Sequence, residues 1–464
     1  MELTYGVNDR PKFGQILVFA FQQLLAILAA TIAVPAIVGN GMSQSAALFG
    51  AGAGTIVYLL FTQFKSPVFL GSSFAFLGSM FAAFGGAASV SVGYLGLIIG
   101  AIFAGLVYVL IAIIVKFAGV KWIDKLMPPV VIGPTVAIIG LSLAGNAVSD
   151  LMKGGLTKEI IEKTARFENG VEIFSKEESL AVSVASPWIA LLCGLVALFV
   201  VIICSVYGKK MMKLIPFIIG ILAGYAVALV FTLIGNATGN ESLMVINFAL
   251  FDNMQWVPKF AFVEAFRGFD AITGSYIATI AVAYIPVAFV VFAEHLADHK
   301  NLSTIIGQDL TKDPGLHRTL LGDGIGSMVG AFFGGCPNTT YGESIGCVAI
   351  TKNASIVTIF CTAILAILAS FFGPFVTFLA TIPSCVMGGV CMTLYGFIAV
   401  SGLKMLQPVD LNDNRNLFTA SVILIAGVGG MALNIGNVTL TEVATALILG
   451  IIVNLVVNRK KENA

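Results

Sequence analysis

Apolar runs of bilayer-spanning length recur along nearly the whole chain, separated by short polar breaks. A hydrocarbon core needs roughly 20 mostly apolar residues per helix, so each run reads as a transmembrane segment rather than a soluble core helix. Between polar breaks the runs cover 13–39, 44–63, 66–85, 90–117, 127–146, 186–207 and 213–236. After a mixed loop they continue over 272–295, 318–335, 336–351, 355–372, 374–401, 416–434 and 438–457. The pattern predicts an all-α polytopic membrane protein of fourteen segments, seven in each half.

Two runs, 66–85 and 336–351, are interrupted by Gly, Ser, Thr, Asn and Pro, and each is the third of its half. Irregular backbone at membrane depth is tolerated only where protein covers it or a cavity borders it. Each therefore reads as a short extended piece feeding a half-helix. An odd number of segments per half makes the second half enter from the opposite side, as an inverted repeat. Pro128 and Gly133 in the fifth segment and Pro383 and Gly388 in the twelfth repeat one spacing. Paired broken segments in matching positions point to a transport site near the midplane.

Composition agrees. Hydrophobic residues make up 58% and charged residues 11%, whereas soluble domains carry about a quarter charged. The 50 glycines suit close helix packing in lipid. Of the 25 lysines and arginines, only Lys153, Lys158, Lys163, Arg166, Lys176, Lys259 and Arg267 fall on one side of this topology, in two long loops. Positive charge collects in short cytoplasmic loops, so the bias places both termini inside a cytoplasmic membrane. The polar stretch Met1 to Lys12 precedes a long span without a small-residue cleavage pattern and is expected to stay. A net charge of +1, with Arg459-Lys460-Lys461 as the one basic run, argues against nucleic-acid binding. The seven cysteines lack CxxC spacing and read as apolar packing residues. Monomer and homodimer remain open.

The acids within segments are Glu294, Asp323, Glu343 and Glu442, with Asp298 just past the end of the eighth. An intramembrane carboxyl is expensive and therefore a functional candidate. Glu343 lies in a broken segment, and Asp298 follows Glu294 by one helical turn. Asp323 and Glu442, near segment starts, read as interfacial. His295 and His299 are four apart but lack the HExxH pattern and a third ligand, which argues against zinc. Gln22 and Gln23 either border a cavity or bond across helices.

Half-helices starting near Ser73 and Gly342 would aim free N–H groups and a positive dipole end at the space between them. Carboxylates accepting N–H and amides donating to C=O suit a flat, neutral, polar molecule. A nucleobase has that pattern, with Phe74 and Tyr341 available to pack on its ring. The same carboxylates can take up protons, so a proton serves as coupling ion and no cofactor is called for. The plainer alternative for both segments is an ordinary kinked helix. An anion carrier of the sulfate-transporter kind would want a basic residue beside the half-helices, and an intramembrane enzyme would want a complete nucleophile–base pair or metal cluster. Neither is present in the sequence.

Three motifs carry a resemblance: Gly71-Ser72-Ser73-Phe74-Ala75-Phe76, Ala293-Glu294-His295, and Pro337-Asn338-Thr339-Thr340-Tyr341-Gly342-Glu343-Ser344-Ile345-Gly346. In this order they resemble the nucleobase/ascorbate transporter family, and within it the bacterial carriers that couple uracil to protons. The likeness extends over nearly the whole chain, including Asp313-Pro314-Gly315-Leu316-His317-Arg318. It implies a core domain from segments 1–4 and 8–11 (13–118 and 272–372) and a gate domain from segments 5–7 and 12–14 (119–236 and 373–457). A cytoplasmic N-terminus (1–12), an outer loop (237–271) and a cytoplasmic C-terminus (458–464) complete it. The resemblance implies that Glu294 and Glu343 hold uracil by side chain and that backbone at Phe74 and Gly342, with Ser73 beside it, completes the contacts. Tyr341 lines the pocket and Tyr395 approaches from the gate. The implied proton route passes Glu294, His295, Asp298 and Gln23. Asp298 and Gln23 stand where relatives often carry histidine, so the route here departs from theirs. The Asn338 to Glu343 stretch is of the uracil type rather than the xanthine or uric acid type.

Overall fold

The computed structural model describes residues 3–119, 122, 127–168, 171–209, 211–435 and 438–458. Lys121, Lys125, Lys210 and the run Arg459 to Lys461, which enter the charge bias, lie outside the described residues, as does the expected tail beyond Asn458.

The chain begins with α1 (Phe13–Val38), α2 (Gln44–Phe61), β1 (Leu70–Ser72), α3 (Leu77–Gly85), α4 (Val90–Ala118), α5 (Pro129–Ser142) and α6 (Ala144–Asp150). A hairpin of β2 (Thr157–Glu168) and β3 (Val171–Ser183) follows, then α7 (Pro187–Tyr207), α8 (Met211–Leu214), α9 (Pro216–Thr238) and α10 (Ala261–Ala265). Next come α11 (Gly274–Ile306), α12 (Leu316–Gly334), β4 (Asn338–Thr340), α13 (Gly342–Thr351), α14 (Ile356–Ser370) and α15 (Gly373–Ala380). The chain closes with α16 (Ser384–Lys404), α17 (Asn414–Val428), β5 (Leu433–Ile435), β6 (Val438–Leu440) and α18 (Glu442–Asn458).

Among the described residues, eight helices are long and apolar enough to cross a membrane, or nine if α14 and α15, bent by 81° at their junction, make one span. The interrupted segments are a strand followed by a short helix, β1 into α3 and β4 into α13. Three readings change. The eighth segment does not end at 295. Buried His295, His299, Leu302 and Ile306 continue one helical face, so α11 runs to Ile306 and Asp298 sits inside it. The twelfth segment is not continuous, because the chain breaks between Ala380 and Ser384, where Pro383 disfavours helix in the residue before it. The loop 147–185, helical only locally in pattern, holds the β2–β3 hairpin, in register from Thr157↔Ser183 to Glu168↔Val171.

The chain forms two compact units. One comprises Gly145–Met254 and Thr377–Thr393. Within it α7 and α9 approach closely at Gly220 and Gly224, where an added Cβ would lie 2.3 Å from Val201 Cγ2 and 2.9 Å from Ala197 Cβ. Thr232 Oγ1 accepts from the N–H groups of Val245 and Ile246, both at 3.1 Å, which closes the chain after α9.

The other unit comprises Met1–Ala144, Gln255–Val376 and Leu394–Ala464. Lipid offers helices no hydrophobic drive to associate, so close backbone approach must do it. Gly50 and Gly54 of α2 meet Gly330 and Gly326 of α12 so closely that a Cβ on either would lie 2.6 Å from the opposing carbonyl oxygen. On α4, Gly96 and Gly100 make room for the rings of Tyr276 and Tyr284, and Phe76 stacks on Tyr284 at 5.5 Å. Tyr276 donates to the Ala83 carbonyl at 2.7 Å, and Ser79 donates to the Ala283 carbonyl at 2.7 Å, pinning α3 to α11.

Asn338 fits between α2 and α12 and donates to the Gly50 carbonyl at 3.0 Å. A Cβ on Gly330 would stand 2.3 Å from its amide nitrogen. Gly330→Ala should therefore cost about 1–3 kcal/mol of overpacking, seen as a lower melting temperature in detergent. An unchanged melting temperature would contradict this packing.

Candidate functional site

The site is built from backbone first. β1 and β4 pair antiparallel as Leu70↔Thr340, Gly71↔Thr339 and Ser72↔Asn338, and all six residues are buried. The ladder extends at both ends: Ser73 N–H donates to the Pro337 carbonyl at 2.8 Å, and Tyr341 N–H donates to the Phe69 carbonyl at 3.1 Å. Three pairs span roughly 10 Å, so the turn Phe74–Phe76 leading into α3 and the start of α13 are held at opposite ends of one short ladder. Tyr341 bridges them, its ring covering Gly71 and its hydroxyl donating to the Ser72 carbonyl at 2.8 Å. A Cβ on Gly71 would lie 2.3 Å from that ring, so glycine is required there.

Neither helix start has a side-chain cap. Ser73 and Tyr341 occupy the N-cap positions with extended backbone and make no capping bond. In the first turn of α13 the Glu343 N–H meets its own carboxyl, while no cap side chain takes up the N–H groups of Phe74 and Gly342. Gly342 is exposed, and a Cβ built on it would meet nothing within 4 Å.

The carboxyls converge here from two elements. Glu294 and Asp298 lie one turn apart on α11, and Glu343 lies in the first turn of α13. All three are partly exposed, and Glu294 lies within electrostatic range of Asp298, Glu343 and Asp323. Asp298 Oδ2 accepts from Thr340 Oγ1 of β4 at 2.8 Å. Among the described residues, Glu294 and Glu343 make no hydrogen bond to another side chain. The structure thus brings Glu294, Glu343, Asp298, Gly342 and Tyr341 into one neighbourhood. Phe74 meets Tyr395 edge to face, with ring centroids 6.0 Å apart.

Other expected residues face elsewhere. Gln23 is buried on α1 and bonds across helices, donating to Ser344 Oγ and, at 3.3 Å, to the Ser344 carbonyl. Ser344 Oγ also accepts from Phe69 N–H at 2.9 Å, so Ser344 ties α13 to the strand before α3 and Gln23 ties Ser344 to α1. His295 turns to α12, with Nδ1 2.7 Å from Asp323 Oδ2 and Nε2 3.0 Å from Thr319 Oγ1. His299 donates from Nδ1 to the His295 carbonyl at 2.8 Å, and its Nε2 faces the Tyr58 hydroxyl at 2.7 Å. The Ser73 hydroxyl is buried against the ladder.

Asp323 was missed by sequence reading. It is not interfacial but 1% exposed and paired with His295. The available signal was the period of four in Gly322, Gly326, Gly330 and Gly334: a helix with so small a face packs tightly, and an acid beside that face goes inside with it. Glu442, also read as interfacial, starts α18 and points its Oε1 to within 3.8 Å of where a Gly78 Cβ would be. Thr340 and Ser344, inside the recognised motif, were not singled out for their bonds to Asp298 and Gln23.

Comparison with known proteins adds the following. A model described as the Permease family matches residues 14–436. The uracil permease of Bacillus caldolyticus is 38% identical over 99% of this chain and 95% of its own length. That of Bacillus subtilis (strain 168) is 37% identical over 99% and 97%, and that of Escherichia coli (strain K12) 35% identical over 97% and 93%. Among solved structures, the transmembrane domain of a cyanobacterium bicarbonate transporter, BicA, superposes with a TM-score of 0.60 at 15% identity over 97% of this chain and all of that one. The murine anion transporter Slc26a9, inward-facing, gives 0.65 at 12% identity over 98% of this chain and 70% of that one. These two likenesses concern the fold alone.

Removing one member of a buried hydrogen-bonded pair leaves the other without its partner. Asp323→Ala should therefore lower stability by about 1–3 kcal/mol, measured by thermal or denaturant unfolding in detergent. A change within about 0.5 kcal/mol, the scale of an ordinary surface substitution, would show that the His295 contact carries no net energy.

Proposed function

Because the chain belongs to the permease family, we propose that it is a secondary active transporter that imports uracil across the cytoplasmic membrane by proton symport. The observation that carries this reading is that Glu294 lies within electrostatic range of Glu343, which stands in the first turn of a helix without a side-chain cap. Uracil presents N–H donors and C=O acceptors around one ring. The two carboxyls accept the N–H groups, while backbone N–H at Phe74 and Gly342 donates to the carbonyl oxygens. Tyr341 and Ser73 shape the ladder side, and the Phe74–Tyr395 contact closes the ring's other edge. The names of the similar permeases from Bacillus and Escherichia support the choice of base.

Protons enter through the same acids. Asp298, one turn from Glu294 and bonded to Thr340 of the ladder, links proton occupancy to the strand that leads into Gly342. Gln23 keeps that ladder in place rather than carrying a proton, and His295 contributes through its pairing with Asp323. The larger frame of the proposal is fourteen segments in two inverted repeats, with a core (13–118 and 272–372) moving against a gate (119–236 and 373–457) and both termini in the cytoplasm. The paired ladder, made by the third segment of each half, supports the repeat.

Purified protein in proteoliposomes should take up radiolabelled uracil faster under an inward proton gradient. Glu294→Gln and Glu343→Gln should each lower uptake at least about tenfold, as expected when a charge-assisted bond becomes a neutral one and the side chain can no longer take up a proton. Gly342→Ala should lower uptake while leaving the melting temperature unchanged, because its Cβ meets no protein atom. No uracil uptake by folded, correctly inserted wild-type protein would overturn the substrate, and gradient-independent uptake would overturn the symport.

A further inference from the structure

The half-helix α13 has ten residues, about 15 Å. Helices this short are marginal on their own and take their direction from what holds their ends. Its first turn is held from α1 through Gln23 and Ser344. Its far end is held by the N-terminal segment. Lys352, the C-cap residue, is left-handed (φ 57), which turns the chain back toward residues 4–9. The Lys352 carbonyl accepts from Thr4 N–H at 2.8 Å and Tyr5 N–H at 3.2 Å. Ala354 N–H donates to the Tyr5 carbonyl at 2.9 Å, Ile356 N–H to the Val7 carbonyl at 3.1 Å, and Ser355 Oγ to the Asp9 carbonyl at 2.6 Å. Tyr5 and Asn353 form a parallel bridge.

The segment is itself fixed to α1. The Tyr5 hydroxyl donates to Gln15 Oε1 at 2.9 Å, its ring lies edge-on to Phe19 at 6.0 Å, and Val7 is only 4% exposed. Thus α1 grips α13 twice, directly at the site end through Gln23 and through this strap at the other end. A ten-residue rod pinned at both ends cannot tilt without breaking one attachment.

We infer that residues 4–9 are a positioning strap for α13, setting where the Gly342 N–H and the Glu343 carboxyl stand during transport, with Tyr5 as its principal anchor. The strap's effect on uracil rests on the function proposed above, but its effect on α13 does not. The experiment therefore has two arms. In full-length protein, Tyr5→Ala removes the anchor on α1, and the double variant Thr4→Pro/Tyr5→Pro removes both N–H donors to Lys352. Tyr5→Phe keeps the ring contact and loses only the hydroxyl bond.

Hydrogen exchange read by mass spectrometry, without any substrate, should show amides of 342–351 exchanging about tenfold faster in the first two variants, the loss of one or two net hydrogen bonds. Exchange in α4 should be unchanged, and Tyr5→Phe should lie near wild type. In proteoliposomes the same two variants should raise KM for uracil about tenfold with little change in maximal rate. Unchanged exchange over 342–351 would overturn the strap, as would faster exchange spread evenly through α4, which would mark a general loss of stability. Faster exchange of α13 with wild-type KM would overturn its bearing on the site. Should wild-type protein take up no uracil, the exchange arm still decides whether the strap holds α13.

Discussion

Everything at the site depends on pairing two three-residue strands inside a membrane. An unpaired backbone polar group in hydrocarbon costs several kcal/mol, so a segment that stops being helical at depth must find its hydrogen bonds in another segment. Here each interrupted segment supplies the other's bonds, from Ser73–Pro337 at one end to Tyr341–Phe69 at the other. The ladder then dictates where two helices begin. It also dictates the glycine at 71, because Tyr341 must lie flat over the strand to reach the Ser72 carbonyl. Asn338, fitted against Gly330 and bonded to Gly50, locks the ladder to the α2–α12 pair.

Around this frame the polar groups divide by partner. Asp323 meets His295 through Oδ2 while its Oδ1 has no partner among the described residues, Asp298 accepts from Thr340, and Gln23 donates to Ser344. Glu294 and Glu343, partly exposed like Asp298, differ in making no side-chain hydrogen bond among the described residues. A membrane interior penalises such groups, and under the proposed function their placement near the helix starts offers a polar, uncharged ring both halves of its hydrogen-bond complement. The anion transporters that superpose on this chain share its fold, and a shared fold does not fix the cargo.

Much of this was legible in the sequence, for definite reasons. Bilayer thickness sets segment length, so 13–39 and 90–117 came within a residue of α1 and α4. Small polar residues at mid-segment marked the two strands of the ladder, since irregular backbone at that depth must be covered by protein or border a cavity. What escaped depends on partners distant in sequence. Asp323 looked interfacial because its neighbour His295 lies on another helix, and α11 looked shorter because Asp298, His299 and Lys300 interrupt an apolar run whose buried face nevertheless continues. The division of the twelfth segment at Pro383 was written in one residue but outweighed by the apolar residues around it.

The central claim is that both ring N–H groups of the base are read by carboxyls. Competition against radiolabelled uracil by uracil methylated at N1, and separately at N3, tests it most directly. Each methyl group deletes one donor and places an apolar group against an acid, so each analogue should compete at least about tenfold more weakly than uracil. If either methylated base competes as well as uracil itself, the two-carboxyl arrangement at Glu294 and Glu343 is wrong.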